Sequence, residues 1–283
     1  MKSGFWRILA ALLCLALTLP SIAHALPTAA NVPGGVALVK LGTVSTHAAP
    51  PRAWLGDQPV WVSAENGQWI AVVGLALDTP AGTHELRISD GVQQKRLLFE
   101  VSAKYYPEQR ITLKDSGKVN LSASDEARAE REIAEIQELK RHWRETDKPG
   151  DTDSSFLLPA EGRLVSRFGL RRFFNSEPRS PHNGLDVSVP RGTLIRASAP
   201  GKVIAVGDYF FNGKTVFVDH GNGLLSMYCH LDRIDAHEGD SVGKGQRIGR
   251  SGMSGRASGP HLHWSVILNG VMVDPALFLK REP

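Results

Sequence analysis

Glycines divide the second half of the chain into short apolar segments, and this division leaves little choice of fold. From Leu158 onward a glycine stands at most turns. The candidate strands between these glycines include 194–197, 203–206, 215–218 and 224–228. Glycine tolerates the backbone angles of tight turns, and short runs rich in β-branched and aromatic residues favour strands. Almost no helical periodicity is present, so the sequence predicts a compact all-β domain over residues 158–283.

The first half is also β-rich, with prolines as well as glycines at its turns. Its candidate strands are 36–40, 59–63, 68–75, 83–88 and 96–102. The last two show the period-two alternation that is typical of antiparallel strands with one buried face. Asp90-Gly91 between them is a hairpin-turn sequence. We therefore expect a mainly β protein whose first domain, residues 26–115, is a small β-sandwich-like unit.

Three tryptophans in this first domain, Trp54, Trp61 and Trp69, have two interpretations. They could form a sugar-stacking platform on the surface, or they could fill the core of the domain. Core packing is the favoured interpretation. No catalytic cluster appears in this half of the chain.

One segment between the two β-rich halves has the pattern of an amphipathic helix. Ser122 or Ser124 can cap its first turn, where acidic residues also favour the positive end of the helix dipole. Its narrow apolar stripe consists of Ile133, Ile136, Leu139 and Trp143. We predict a helix over residues 122–144, within a connector and linker at 116–157, that docks on another part of the chain.

The first 25 residues have the pattern of a signal peptide rather than of the fold. Two basic residues, Lys2 and Arg7, precede an apolar run at 8–19, and a small-x-small cleavage sequence ends at Ala25. The apolar run is too short to span a membrane comfortably. We therefore expect a cleaved signal peptide at 1–25 and an exported protein without a membrane anchor, in the periplasm or secreted.

The charge and cysteine content of the mature chain exclude some classes of partner and of stabilisation. Of 33 Lys and Arg residues, 31 remain after removal of Lys2 and Arg7, against 29 Asp and Glu. The resulting net charge of about +2 is too small to indicate binding to nucleic acid, although it is compatible with binding to an anionic polymer such as a cell wall. Cys229 is then the only cysteine, so no intramolecular disulfide is expected. A buried apolar role suits Cys229 better than metal binding.

Two histidines near the end of the chain are placed as neighbours on one strand. His261 and His263 are two residues apart after a glycine-rich run, and they precede an apolar segment. Because side chains alternate along a strand, both imidazoles should point to one side while Leu262 and Trp264 enter the core.

Two further segments supply partners for these histidines. His182 and Asp186 are four residues apart, a spacing that puts both on one face of an extended segment, and His230 ends a predicted strand. Together with His261 and His263 they offer one carboxylate and four imidazoles. That set of ligands suits zinc.

The order of these segments resembles that of the lysostaphin/LytM-type zinc metallopeptidases, most of which cleave peptide cross-links in bacterial peptidoglycan. The matching motifs lie at 166–171, 182–186, 219–223, 228–231, 239–246, 259–263 and 273–275. They cover the whole second half of the chain. The β-rich first half followed by a helix is also similar to the non-catalytic front domain of a Gram-negative subgroup of that family.

The resemblance implies a role for each of the five residues. His182, Asp186 and His263 would be the zinc ligands, leaving one coordination position open for water. His230 and His261 would be the two unligated active-site histidines. One would take the water's proton, and either would stabilise the oxyanion or protonate the leaving amine. Which histidine does which stays open.

The function implied by the resemblance is that of an exported zinc metalloendopeptidase acting on peptidoglycan stem peptides. Two alternatives stay open. Some relatives lack zinc ligands and act as regulators that activate other wall hydrolases, although all five positions are intact in this chain. A secreted lytic peptidase that attacks other bacteria would share the chemistry. The sequence identifies no regulatory protein partner and does not name the bond that is cleaved.

Other polar residues near these motifs receive simpler interpretations. His220 lies in a glycine-rich turn and is expected to be structural rather than catalytic. Arg171, Arg172 and Arg179 precede or flank the His182 segment. They could meet substrate carboxylates, and solvated surface positions are an equal alternative.

Overall fold

A computed structural model describes residues 26–45, 49–111, 121–147, 151–174, 177–178 and 180–279. The predicted signal peptide, residue 179 and the Pro149-Gly150 break lie outside these ranges. Within them the chain is mostly strand with one α-helix, so the predicted mainly β class is confirmed. No helix in this part of the chain is long and apolar enough to cross a lipid bilayer.

The front domain is one antiparallel sheet of six strands in the order β1-β4-β3-β2-β5-β6. The strands are β1 (Val36–Thr43), β2 (Arg52–Leu55), β3 (Gln58–Glu65), β4 (Gln68–Gly74), β5 (Gly82–Ser89) and β6 (Gln94–Val101). Five of them correspond to predicted strands. The short β2 was not predicted, because four residues beside a turn carry too little periodicity to be recognised.

The six-stranded sheet folds over itself around a shared core. Strand β3 pairs with β2 up to Val60 and with β4 from Trp61 onward, so it passes from one half of the sheet to the other. Val73 of one half and Leu86 and Phe99 of the other belong to the same buried cluster. This arrangement gives the domain two facing layers, as a β-sandwich-like unit requires.

The connector helix α1 (Ala123–Lys140) begins where the sequence predicted and ends earlier. The hydroxyl of Ser122 accepts a hydrogen bond from the backbone N–H of Asp125 at 3.2 Å, which caps the first turn. Trp143 was predicted to lie on the helix, and this is wrong. The helix stops at Lys140 because the following residues bind the second domain, where Arg144 Nε contacts Asp219 Oδ2 at 2.5 Å.

A small three-stranded sheet joins the end of the front domain to the second domain. Strand β7 (Glu108–Ile111) runs parallel to β9 (Arg171–Phe174), which pairs with β10 (Glu177–Pro178). The guanidinium of Arg171 contacts Glu108 Oε1 at 3.0 Å, so this arginine has a partner within the protein. In chain order, β9 and β10 precede the segment that carries His182.

The second domain is built on a large antiparallel sheet in the order β16-β13-β14-β15-β18-β11-β8. Its elements are β8 (Arg163–Ser166), β11 (Leu185–Ser188), β12 (Leu194–Arg196), β13 (Gly201–Tyr209), β14 (Gly213–Asp219), β15 (Leu224–Ile234), β16 (Ser241–Val242), β17 (Arg247–Ser251), β18 (Leu262–Leu268), β19 (Val271–Val273) and a 3-10 turn (Pro275–Leu277). β12 pairs with β17, which also pairs with β15, and β19 pairs with β18.

The two faces of this sheet pack against different neighbours. One face enters the main core of the domain. The opposite face carries Phe217, Met227 and Ile267, and the apolar stripe of α1 covers it through Ile136 and Leu139. The connector helix therefore lies on the outer face of the sheet, as the predicted docking of its apolar stripe requires.

The front domain packs on the second domain through apolar and polar contacts. Trp61, which is fully buried, and Val72 belong to the same core cluster as Trp264. The amide side chain of Asn269 accepts a hydrogen bond from Gly74 N–H at 2.5 Å and donates to Gly74 O at 3.1 Å. The two β-rich halves thus share part of one core.

The core of the second domain includes residues before the predicted boundary at 158. Phe156 is buried, and its ring lies 5.4 Å from that of Phe278 and 6.2 Å from that of Trp264. Its backbone N–H donates to Phe278 O at 2.8 Å. The end of the linker is therefore part of the packed domain, while the exact boundary at 158 stays a prediction.

Candidate metal centre

Three of the five predicted residues converge at one point on the outer face of the large sheet. Asp186 on β11 lies directly opposite His263 on the neighbouring strand β18, so their side chains are adjacent. His182 precedes β11 in a loop and reaches back to both. Asp186 Oδ1 lies 2.9 Å from His182 Nε2 and 2.9 Å from His263 Nδ1, and those two nitrogens are 3.1 Å apart.

Outer hydrogen bonds fix the orientation of both imidazoles. His182 Nδ1 lies 2.9 Å from the carbonyl oxygen of Arg167, and His263 Nε2 lies 2.9 Å from the hydroxyl of Ser265. The backbone N–H of His182 also donates to Leu170 O at 2.9 Å. Because a carbonyl only accepts, Nδ1 of His182 carries a hydrogen. Nε2 of the same ring is therefore left with a lone pair that can bind a metal ion.

The three side chains fit a divalent metal of the zinc type. Their ligand atoms all lie within 4.8 Å of one another. The edges of the triangle, 2.9 to 3.1 Å, approach the separation of about 3.3 Å between tetrahedral ligands that are each about 2.0–2.1 Å from zinc. Two imidazoles and a carboxylate are also a donor set that zinc accepts. Among the described residues this is the one group of three or more His, Cys, Asp and Glu that converges in this way.

The electrostatics of the site keep Asp186 charged. Burial raises the pKa of this carboxyl, but its close contacts with the imidazoles of His182 and His263 outweigh burial and hold the pKa well below its usual range. Burial lowers the pKa of His263, although its hydrogen bond to Asp186 opposes this. A carboxylate between neutral imidazoles is the protonation state that metal ligation requires.

The other two predicted residues, His230 and His261, lie beside this triangle. Their rings are 4.7 Å apart between centroids, and His261 Nε2 is 3.9 Å from Asp186 Oδ1. His230 Nδ1 lies 2.9 Å from Ser254 O, and His261 Nδ1 lies 2.8 Å from Gly259 O. Each carbonyl requires a hydrogen on Nδ1, so Nε2 of each neutral ring has a free lone pair that can accept a proton.

His230 is held in an unusual backbone conformation. Its φ of +60° lies in the left-handed region, which a residue with a side chain seldom adopts. Its backbone N–H donates to Asn212 O at 2.8 Å, in the turn between β13 and β14. Burial lowers the pKa of the His230 imidazole to about 4, so it is a neutral acceptor near pH 7.

A cleft of about 770 Å³ opens over this site. It is lined by three of the histidines (His182, His230 and His263), by the β13–β14 turn (Phe211 and Asn212) and by one side of the connector helix (Ile133, Ile136, Gln137 and Lys140). The cleft therefore has a floor from the second domain and a wall from the connector. Sequence reasoning did not find the turn or the helix wall, because neither has a motif of its own.

Two residues with simpler predicted roles lie apart from the cleft. Cys229 is a free, fully buried thiol, and burial raises its pKa to about 12, so the expected apolar role is confirmed. His220 is buried in a polar network, with Nδ1 2.8 Å from Pro200 O and Nε2 2.7 Å from the Ser226 hydroxyl.

Family models match both halves of the chain. The model described as Peptidase family M23 matches residues 180–275, which contain all five predicted site residues. The model described as Peptidase family M23 N-terminal domain matches residues 29–104 of the front domain.

Individual relatives extend these matches. Peptidoglycan DD-endopeptidase ShyA of Vibrio cholerae is 37% identical over 133 residues, which are 45% of this chain and 31% of that protein. DD-carboxypeptidase/endopeptidase Mpg of Neisseria meningitidis is 38% identical over 121 residues, 43% of this chain and 28% of that protein. The chain thus spans about a third of the length of these curated relatives.

One solved structure matches almost the whole chain. A crystal structure from Pseudomonas aeruginosa, described as a "putative peptidase M23", is 42% identical. The match covers 88% of this chain and 95% of that one, with a TM-score of 0.73. A match of this extent cannot be confined to either half of the chain.

Proposed function

This chain belongs to peptidase family M23, and from that membership we propose that it is an exported, zinc-dependent metalloendopeptidase that hydrolyses peptide cross-links of peptidoglycan. The observation that carries the proposal is the convergence of His182, Asp186 and His263, with His230 and His261 beside them. The substrate class is supported by homologues that are peptidoglycan DD-endopeptidases. Their names direct the proposal to a cross-link between D-configured centres.

In this proposal the metal is held by His182 Nε2, Asp186 Oδ1 and His263 Nδ1. A zinc ion there would supply Lewis-acid activation of a water molecule and of the scissile carbonyl. Three protein ligands are the number that catalytic zinc sites use, whereas structural sites use four. The hydrogen bonds from Arg167 O and Ser265 Oγ hold the two imidazoles in the orientation that binding needs.

The proton transfers of amide hydrolysis are assigned to His230 and His261. The attacking water must lose a proton, and the leaving amine must gain one. Nε2 of either ring can accept the first proton, and the same ring can then donate it to the amine. Asp186, 3.9 Å from His261 Nε2, would stabilise a proton held on that ring. The sequence contains no His-Glu-x-x-His motif, so the glutamate base that such a helix supplies in other zinc peptidases is absent.

The proposed compartment rests on the sequence. The pattern of residues 1–25 is that of a signal peptide, and the proposed substrate lies outside the cytoplasmic membrane. We place the mature protein in the periplasm, with secretion as the alternative.

The test uses mature protein whose zinc content has been measured. The protein is incubated with purified Gram-negative peptidoglycan, and the products are identified by mass spectrometry. Conversion of cross-linked dimers to monomers, abolished by a chelator and restored by zinc, is the expected result. His263→Ala should be inactive, and His237→Ala, at an exposed histidine outside the cleft, is the matched control. Stoichiometric zinc without cleavage of any cross-link would contradict the proposal.

A further inference from the structure

One lysine of the connector helix lies inside the cleft without an anionic partner. Lys140 is in the last turn of α1 and lines the cleft together with Gln137. Its Nζ donates to Gln137 Oε1 at 3.0 Å. In the part of the chain that the structure describes, no carboxylate forms an ion pair with it. Burial, and then the neighbouring charge of Arg141, lower the pKa of Lys140, as is typical of a cation that lacks a counter-charge.

The cleft as a whole carries positive charge. The described residues that line it include two fixed cations, Lys140 and Arg256, and none of these residues is Asp or Glu. The nearby carboxylate of Asp186 is already engaged by His182 and His263. A ligand in the cleft therefore meets cationic and neutral groups, and an anionic ligand gains from both cations.

The inward position of Lys140 is not needed by the helix itself. A cation at a helix C-terminus stabilises the helix dipole, but the next residue, Arg141, supplies that charge from an exposed position. Arg141 also pairs with Glu138 at 3.7 Å. A partly buried ammonium without a counter-ion costs free energy, and a bound anion would recover it.

We propose that Lys140 binds a carboxylate of the peptide substrate, so that the connector helix provides a subsite for anionic cross-linked peptides. The inference rests on the proposed function, because stem peptides with free side-chain or terminal carboxylates are this class of ligand. Lys140 lies on the wall of the cleft rather than among the metal ligands. It is a residue for binding and specificity, and it does not take part in the chemical step.

The position of Lys140 on the cleft wall, away from the metal ligands, predicts which kinetic constant changes when the lysine is replaced. Loss of an interaction that is present equally in the bound substrate and in the transition state raises KM and leaves kcat unchanged. Hydrogen bonds to a charged group are worth enough for a change of about ten-fold to a hundred-fold. Replacement of Lys140 should therefore raise KM for a carboxylate substrate by that factor, with little change in kcat.

The experiment compares two synthetic cross-linked peptides, one with free carboxylates and one with every carboxylate replaced by a carboxamide. The zinc-loaded full-length mature protein should prefer the first in kcat/KM by about ten-fold or more. Lys140→Met should reduce this preference to within about two-fold, and Lys140→Arg should retain most of it. Arg141→Met is the matched control: it removes one charge from the same helix end outside the cleft, and should keep the full preference.

A second measurement separates failure of this inference from failure of the proposed function. Calorimetric titration of the same two peptides into zinc-loaded His230→Ala protein measures binding without turnover. If no variant cleaves either peptide, the proposed function fails, while a carboxylate preference in binding that Lys140→Met abolishes still supports the subsite. The inference is overturned if Lys140→Met keeps the carboxylate preference. It is also overturned if the protein that retains Lys140 binds the carboxylate and carboxamide peptides equally well.

Discussion

Acidification should destabilise this protein through His220, and the structure gives the size of the effect. The imidazole is fully enclosed, with Nδ1 2.8 Å from Pro200 O, to which it donates, and Nε2 2.7 Å from the hydroxyl oxygen of Ser226. A second proton on Nε2 would face a hydroxyl group in place of solvent. Burial therefore lowers the pKa of His220 to about 4, against about 6.5 for an exposed histidine.

The sign and the magnitude follow from proton linkage. Between about pH 6.5 and about pH 4, His220 is protonated in the unfolded chain but not in the folded protein. The free energy of unfolding therefore falls as the pH falls. The loss begins near the unfolded pKa and is complete below the folded one. With these two pKa values, acidification from about pH 7 to about pH 5 removes about 2 kcal/mol.

The assay is urea unfolding of the unmodified protein and of His220→Gln at both pH values, with a chelator present so that metal release does not contribute. Glutamine can donate to Pro200 O and accept from Ser226, but it does not titrate. Other histidines are common to both proteins and cancel in the difference. The unfolding free energy of His220→Gln, relative to the unmodified protein, should rise by about 2 kcal/mol between about pH 7 and about pH 5.

The different shape of glutamine can also change the free energy of unfolding, but this change is the same at both pH values and cancels in the comparison between them. The difference between the two proteins should be the same at about pH 7 and at about pH 8, which provides an internal control. A difference that is also unchanged down to about pH 5 would refute the assignment of His220 as a buried neutral histidine.

Four further substitutions test other parts of the structure. His182→Ala should abolish stoichiometric zinc binding, whereas His230→Ala should retain zinc and lower turnover by about 10²–10⁴-fold; metal analysis beside a peptidoglycan assay checks both, and normal turnover in His230→Ala would refute its role. Phe156→Ala removes a buried ring at the start of the second domain and should lower the unfolding free energy by about 3–5 kcal/mol in a denaturant titration. Arg144→Met leaves the buried Asp219 carboxylate without its guanidinium and should cost about 2 kcal/mol by the same method, whereas an unchanged midpoint would show that the pair does not hold the connector.

The residues of the metal centre could be predicted from the order of the motifs and the family resemblance, and strand geometry added the direction of individual side chains. The alternation of His261, Leu262 and His263 along one strand fixed which side chains face the site and which enter the core, and the structure has this arrangement. The resemblance in motif order is confirmed by the family matches. The assignment of zinc ligands and of proton-transfer residues stays a prediction that the experiments above test.

The parts that could not be predicted depend on contacts between distant segments. The parallel pairing of β7 with β9 joins residues about sixty positions apart. Neither strand has a periodic pattern long enough to predict a strand, and nothing local indicates its partner. The early end of α1 has the same cause, since Arg144 is held by Asp219 rather than by helical bonds. Lys140 belongs to no sequence motif, and only the docking of the helix on the large sheet places it in the cleft.

The two hydrogen bonds between Asn269 and Gly74 limit how such a chain can change by recombination. A side-chain carbon at position 74 would lie 2.7 Å from Leu268 O, so the front domain must present a glycine where the second domain presents its asparagine. A chimera that joined a foreign front half to this second half would also need a large apolar side chain at the position of Trp61 to fill the shared core. A change at any one of these three residues would therefore require a matching change on the other side of the boundary between the two family domains.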